Sequence, residues 1–121
     1  MNAQEIVAAN VAARGYRDGW TAEQFVARQL CKFQEELGEA VGHVTLNFVG
    51  WSLPPEAGRQ SRQLFDLGYP WRKVEIDDLD ALRSELADML VVLFAAAAAL
   101  DFDVVQAAID KSSADVARGV R

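Results

Sequence analysis

Glu36 and Glu39 lie three residues apart in Phe33-Gln-Glu-Glu36-Leu37-Gly-Glu39-Ala-Val41, and Glu85 and Asp88 repeat that spacing in Leu82-Arg-Ser-Glu85-Leu86-Ala-Asp88-Met-Leu90. On a helix, side chains at i and i+3 share a face. In each segment the apolar residues Phe33, Leu37, Val41 and Leu82, Leu86, Leu90 keep the same phase to the acids. The acids therefore flank an apolar stripe, at the rim of a core and not in bulk water. Packing the two stripes together brings the acid pairs towards each other. Carboxylates gathered in this way repel, and some take up protons near neutral pH. A divalent cation removes that cost. Hard oxygen donors suit magnesium, with manganese as a substitute, and magnesium keeps several waters and takes further ligands from phosphates. Such an ion polarises a phosphoryl group and orients a water. Glu35, next to Glu36 and one turn from Glu39, is placed to join a second ion or to accept a proton from water. The competing reading of any single i, i+3 acid pair is a solvated helix face. Two pairs in matching phase favour convergence.

The elements that must carry these residues are helices. The spacing predicts a first helix over about Asn2 to Ala13, with Asn2 and Glu5 at capping-box spacing and Gly15 as its stop. A second opens at Thr21, where Thr21 and Gln24 form the box and Trp20 with Phe25 the hydrophobic staple. Its stripe continues through Val26, Leu30, Phe33, Leu37, Val41, Val44 and Phe48, which extends the helix to Gly50. A third begins near Asp77 or Asp78, and a fourth at Asp103, with Gln106 completing the cap pattern and Gly119 near its end. Sustained apolar–polar alternation is missing, so no strand is expected. The fold class predicted is all-α: a single domain over 1–121, a four-helix bundle with a long loop between helices 2 and 3.

That loop, Gly50–Ile76, holds all three prolines and two of the three tryptophans, with a short helix suggested around Glu56–Phe65. Connections of this length are uncommon in compact domains and are often functional. Its basic residues Arg59, Arg62, Arg72 and Lys73 stand against an acidic chain. It reads either as a solvated cap on the bundle or as a substrate lid. On the last helix Lys111, Asp115 and Arg118 form either a solvated face with an intrahelical ion pair or a phosphate grip, for which arginine offers a bidentate fork. Trp20, Phe48, Trp51 and Trp71 are candidates for stacking on a nucleobase, or for plugging the ends of the bundle. His43 lies one turn beyond Glu39 on the same face, where a hydrogen-bonding role is expected.

The net charge of −6 speaks against a nucleic-acid binder, which needs a basic surface. One cysteine, Cys31, makes no internal disulfide, and Met1–Arg14 lacks the apolar run of a signal peptide, so a reducing, cytoplasmic setting is expected. The longest apolar stretch, Met89–Leu100, falls short of the roughly 20 residues that cross a bilayer.

Glu35-Glu36-Leu-Gly-Glu39 resembles the E-E-x-x-E motif, and Glu85-Leu-Ala-Asp88 the E-x-x-D motif, of the MazG-like all-α nucleoside triphosphate pyrophosphohydrolases. Lys111-Ser-Ser-Ala-Asp115-Val-Ala-Arg118 is similar to that family's K-x-x-x-N-x-x-R stretch, and the resemblance covers roughly Thr21–Gly50 and Leu79–Arg118. It implies hydrolysis of a nucleoside triphosphate between the α and β phosphates, giving the monophosphate and pyrophosphate. It implies magnesium held by Glu36, Glu39, Glu85 and Asp88, with Glu35 helping to bind a further ion or to activate water; in the mechanism expected here Glu35 or Glu36 helps to deprotonate that water. Lys111 and Arg118 would steady the phosphates, in a homodimer or homotetramer; Asp115, between them on the same helix, and the aromatic Trp20 are further substrate-binding candidates from their own chemistry. The sequence departs from the family in two places. The 45 residues from Ala40 to Ser84 make a longer gap than usual, and Asp115 stands where the family has Asn. An anion there repels phosphate unless Lys111 or Arg118 pairs with it.

Beyond Asp88 the third helix is apolar all round, which predicts burial on every side and a dimer packed through Val91, Phe94, Ala95 and Ala98. A ferritin-like di-iron site needs two Glu-x-x-His motifs, and His43 is the only histidine. Two alternatives remain: a phosphoribosyl-ATP pyrophosphohydrolase, and a non-catalytic helical interaction module.

Overall fold

A computed structural model describes residues 1–15, 18–45, 55–67 and 75–119. Among them are five helices, α1 (Ala3–Ala12), α2 (Ala22–Gly42), α3 (Pro55–Asp66), α4 (Leu79–Ala99) and α5 (Val104–Arg118), and two short strands, β1 (Val44–Thr45) and β2 (Glu75–Ile76). The all-α class is as expected. The count exceeds the four helices anticipated because the segment suggested around Glu56–Phe65 is the full helix α3. No helix among the described residues is long and apolar enough to cross a membrane. The chain divides into two compact units, Met1–Phe33 with Met89–Arg121, and Gln34–Asp88.

In the first unit the helices start where local side-chain chemistry dictates. Asn2 caps α1 by accepting from the Glu5 amide at 2.8 Å. Thr21 and Gln24 exchange reciprocal bonds of 2.9 and 3.1 Å at the start of α2, which satisfies amides that a helix start otherwise leaves open. Asp103 accepts from the amides of Val105 and Gln106 at the head of α5. Gly15 after α1 and Gly119 after α5 take φ of 75° and 72°, a left-handed conformation that suits glycine. The end of α4 does without one. Asp101 stands at φ 58°, the Phe102 amide donates to Ala97 O and the Asp101 amide to Ala98 O, the two bonds of a Schellman turn. Gln4, itself buried, binds this turn on both sides. Its Nε2 donates to Phe102 O at 2.6 Å and its Oε1 accepts from the Val104 amide at 2.8 Å.

The core of this unit joins Val11, Phe25, Ala95 and Ala99, with Val26 and Val91 packed against it. Phe25 is 2% exposed; its burial is worth about 1.5–3 kcal/mol. A small apolar cavity of about 50 Å³ lies among Val11, Phe25, Ala95 and Ala98. These positions correct the expected dimer face: Phe94 and Ala95 are buried within one chain, and Val91 and Ala98 are half-buried. Leu90 and Leu93 on this half of α4, and Leu100 just after its end, are exposed apolar side chains. An all-round apolar helix gives no sequence signal for which side turns inward.

In the second unit α2 ends at Gly42, short of the Gly50 expected, and Val44 belongs to β1 instead of the helix. Phe48 lies outside the described residues. β1 pairs with β2 antiparallel, Val44 opposite Ile76 and Thr45 opposite Glu75. The Asp77 amide extends the bridge by donating to His43 O at 3.1 Å. Backbone pairing with a segment far along the chain therefore overrides a helical apolar spacing. Asp78 then starts α4, accepting from the Ala81 amide at 3.0 Å. On α3, Arg62 pairs with Asp66 at 3.1 Å.

Candidate metal centre

The acidic residues singled out by spacing all belong to the Gln34–Asp88 unit. α2 carries Glu35, Glu36 and Glu39, and α4 carries Glu85 and Asp88. The two helices lead away from the β1–β2 bridge in opposite chain directions. Glu36 stands about two turns before His43 and Glu85 about two turns beyond Asp77, so both reach the same level.

There Glu36, Glu39 and Glu85 each place a carboxylate oxygen within 4.8 Å of the others. Glu36 is buried at 6% exposure beside the equally buried Ala40, Glu85 is half-buried and Glu39 opens to solvent. The Oε2 of Glu85 is shut off from solvent without a hydrogen-bond partner. Its carboxyl is pushed up from 4.5 to about 7, first by a hydrogen bond shared with Glu39, then by one with Glu36, then by desolvation and the negative charges of both. The group thus holds a proton at a pH where carboxyls are ordinarily ionised.

These donors fit a hard cation. Across an octahedral magnesium site, opposite oxygens stand about 4.2 Å apart, twice a bond of about 2.1 Å. A set within 4.8 Å needs only small side-chain rotations to close on an ion of that size. The mixture of a buried, a half-buried and an exposed carboxylate leaves the outward side open for water or a phosphate. A cation would also take the place of the proton that Glu85 now shares with Glu39 and Glu36.

Asp88 is not part of this convergence and is exposed, as is Glu35. Antiparallel helices supply the reason. From the level shared by Glu36 and Glu85, Glu39 continues one turn towards the bridge and Asp88 one turn away from it, so they diverge along the axis by about 9 Å. Equal i, i+3 spacing puts each pair on one face but does not put all four at one height.

Lys111, Asp115, Arg118 and Trp20 lie in the first unit. On α5, Lys111 Nζ donates to Asp115 Oδ1 at 3.0 Å, and Arg118 Nη2 donates to the same oxygen. Both cations therefore pair with the residue that departs from the resembled pattern. Trp20 is exposed, next to the capping box of α2. Trp51, Trp71, Arg72 and Lys73 lie outside the described residues. His43 was expected to hydrogen-bond, with substrate contact as the alternative; the structure places its Nδ1 3.7 Å from Asp77 Oδ1, and the position of Asp77 opposite it had no signal in local spacing. No family model, curated protein or solved structure matches this chain.

Proposed function

We propose that this chain is a magnesium-dependent pyrophosphohydrolase of nucleoside or deoxynucleoside triphosphates. The observation that carries the reading is the convergence of Glu36, Glu39 and Glu85 from two helices, where the retained proton on Glu85 marks a site short of positive charge. The resemblance of both acidic motifs to the MazG-like pattern supplies the substrate class.

In this reading Glu36, Glu39 and Glu85 hold magnesium, and Asp88 adds a more distant contact through water. The ion supplies Lewis-acid polarisation of the phosphates. The chain's own part is positioning and proton transfer. Water forms a P–O bond at one phosphorus of the α–β bridge, and its proton passes to Glu35 or Glu36. The bridging P–O bond breaks with its electron pair on the leaving oxygen, giving monophosphate and pyrophosphate. Lys111 and Arg118 would steady the phosphates. One oxygen of Asp115 occupies both, but lysine has three donors and arginine five, so each retains donors for an anion.

Two further parts belong to the proposal. A homodimer, or a pair of dimers, would cover Leu90 and Leu93 on α4 and Leu100 just beyond it with Val105, Ile109 and Val116 on α5, all more than a third exposed in the single chain. A cytoplasmic location suits Cys31, an exposed free thiol.

The test is pyrophosphate release from a panel of canonical and modified NTPs and dNTPs, with magnesium and with chelator. Chelator-sensitive release of pyrophosphate and monophosphate is the expected result. Release from phosphoribosyl-ATP alone would assign the histidine-synthesis reaction instead. No release from any of these would leave the helical interaction module as the function.

A further inference from the structure

The bridge between β1 and β2 does more than turn the chain. Val44 faces Ile76 and Thr45 faces Glu75, and the Asp77 amide adds a bond to His43 O at 3.1 Å. His43 Nδ1 and Asp77 Oδ1 close the same junction at 3.7 Å. α2 ends and α4 begins within two residues of these contacts. The acids then follow at equal helical distance on each arm, about two turns from the junction. A slip of one residue at the bridge would turn one arm by about 100° against the other and shift it by about 1.5 Å, enough to separate Glu85 from Glu36 and Glu39. The long segment 46–74 leaves and returns through this bridge, so its length is not transmitted to the arms.

We infer that the His43–Asp77 junction with its strand bridge is the positioning device of the metal centre, setting the register at which Glu36, Glu39 and Glu85 meet. The inference rests on the metal reading above and deepens it. His43 and Asp77 are positioning residues, acting through the main chain and not by touching the ion. The side-chain pair is partly exposed and slightly long for a hydrogen bond, so the backbone bonds carry most of the effect.

The test uses Mn2+ binding to the full chain, followed by electron paramagnetic resonance, with circular dichroism as the check on folding. Asp77→Pro removes the amide donor. It leaves Ile76 in the extended conformation that a following proline favours and stays outside α4, which starts at Leu79. Loss of a supporting contact of this kind weakens metal binding by about 10–100-fold, and at least tenfold is expected here with helix content unchanged. The rescue adds Val44→Cys and Ile76→Cys to that variant, in a Cys31→Ser background. Directly opposed strand positions have Cα atoms about 4.5–5.5 Å apart, within reach of a disulfide. The oxidised cross-link restores the affinity of the unmodified chain, and reductant removes the gain. A variant that misfolds without the cross-link is still read through the oxidised form.

Unchanged Mn2+ affinity in Asp77→Pro overturns the inference. So does a cross-link that fails to form, or that forms without restoring affinity. If the unmodified chain takes up no Mn2+ at all, the metal reading fails and this inference falls with it. That outcome is distinct from uptake by the unmodified chain and by Asp77→Pro alike, which sinks the positioning role and leaves the metal centre standing.

Discussion

Metal uptake by this cluster must expel a proton, and the amount is set by Glu85. Its carboxyl is pushed up to about 7, so at pH 7 about half a proton occupies it, at pH 6 about 0.9 and at pH 8 about 0.1, and a cation displaces that proton on binding. The apparent affinity should fall by about tenfold per pH unit once pH drops well below 7. Folding stability without metal follows from the same shift. The folded-state value lies above the ordinary 4.5, so the folded chain binds more protons than the unfolded one between the two. Stability is therefore highest at the acid side of that window, declines as pH rises from about 4.5 to about 7, and is level in this respect beyond it. Magnesium should offset most of the loss above pH 7. The assay is calorimetric titration of Mg2+ or Mn2+ at pH 6, 7 and 8, each in two buffers of different ionisation enthalpy, which separates released protons from binding heat. Glu85→Gln keeps the shape of the side chain but carries no titrating proton, so its binding should be weak and its proton release near zero at every pH. Binding with no proton release at pH 6, or release that persists in Glu85→Gln, would refute this account of the cluster.

Four other outcomes are expected. Glu39→Gln removes one of the three converging ligands and Asp88→Asn an acid at the water-mediated distance. Both should abolish pyrophosphate release with circular dichroism unchanged, and near-normal turnover in either refutes its assignment. Asp115→Asn frees Lys111 and Arg118 from a charged partner; inhibition by added pyrophosphate should tighten severalfold, with stability changed by no more than about 1 kcal/mol because the cations are exposed. Gln4→Ala leaves Phe102 O and the Val104 amide without their partner, which should cost about 1–3 kcal/mol in urea denaturation. Leu93→Glu puts a charge on the proposed subunit face, and should convert a dimeric sedimentation coefficient at micromolar concentration into a monomeric one. A monomer before substitution would remove the dimer from the proposal.

What the sequence determined is local. Asn2, Thr21 with Gln24, Asp78 and Asp103 begin their helices where they stand in the chain, because a cap is a bond between a side chain and an amide two or three residues away. The i, i+3 acids are legible for the same reason, since one helical turn fixes which residues share a face. What only the tertiary structure decided involves partners distant in the chain. α2 stops at Gly42, although Val44 and Phe48 continue its apolar spacing, because β1 pairs with Glu75 and Ile76. Asp101 ends α4 in a conformation that its type rarely adopts. Val92, Phe94, Ala95, Ala97 and Ala99 turn inward on a helix whose apolar residues point in every direction. Of the four acids, Glu36, Glu39 and Glu85 meet while Asp88 does not. Spacing along one helix sets the face a residue occupies, but the height at which it meets a residue of another helix depends on the register between them, and here that register is set at His43 and Asp77.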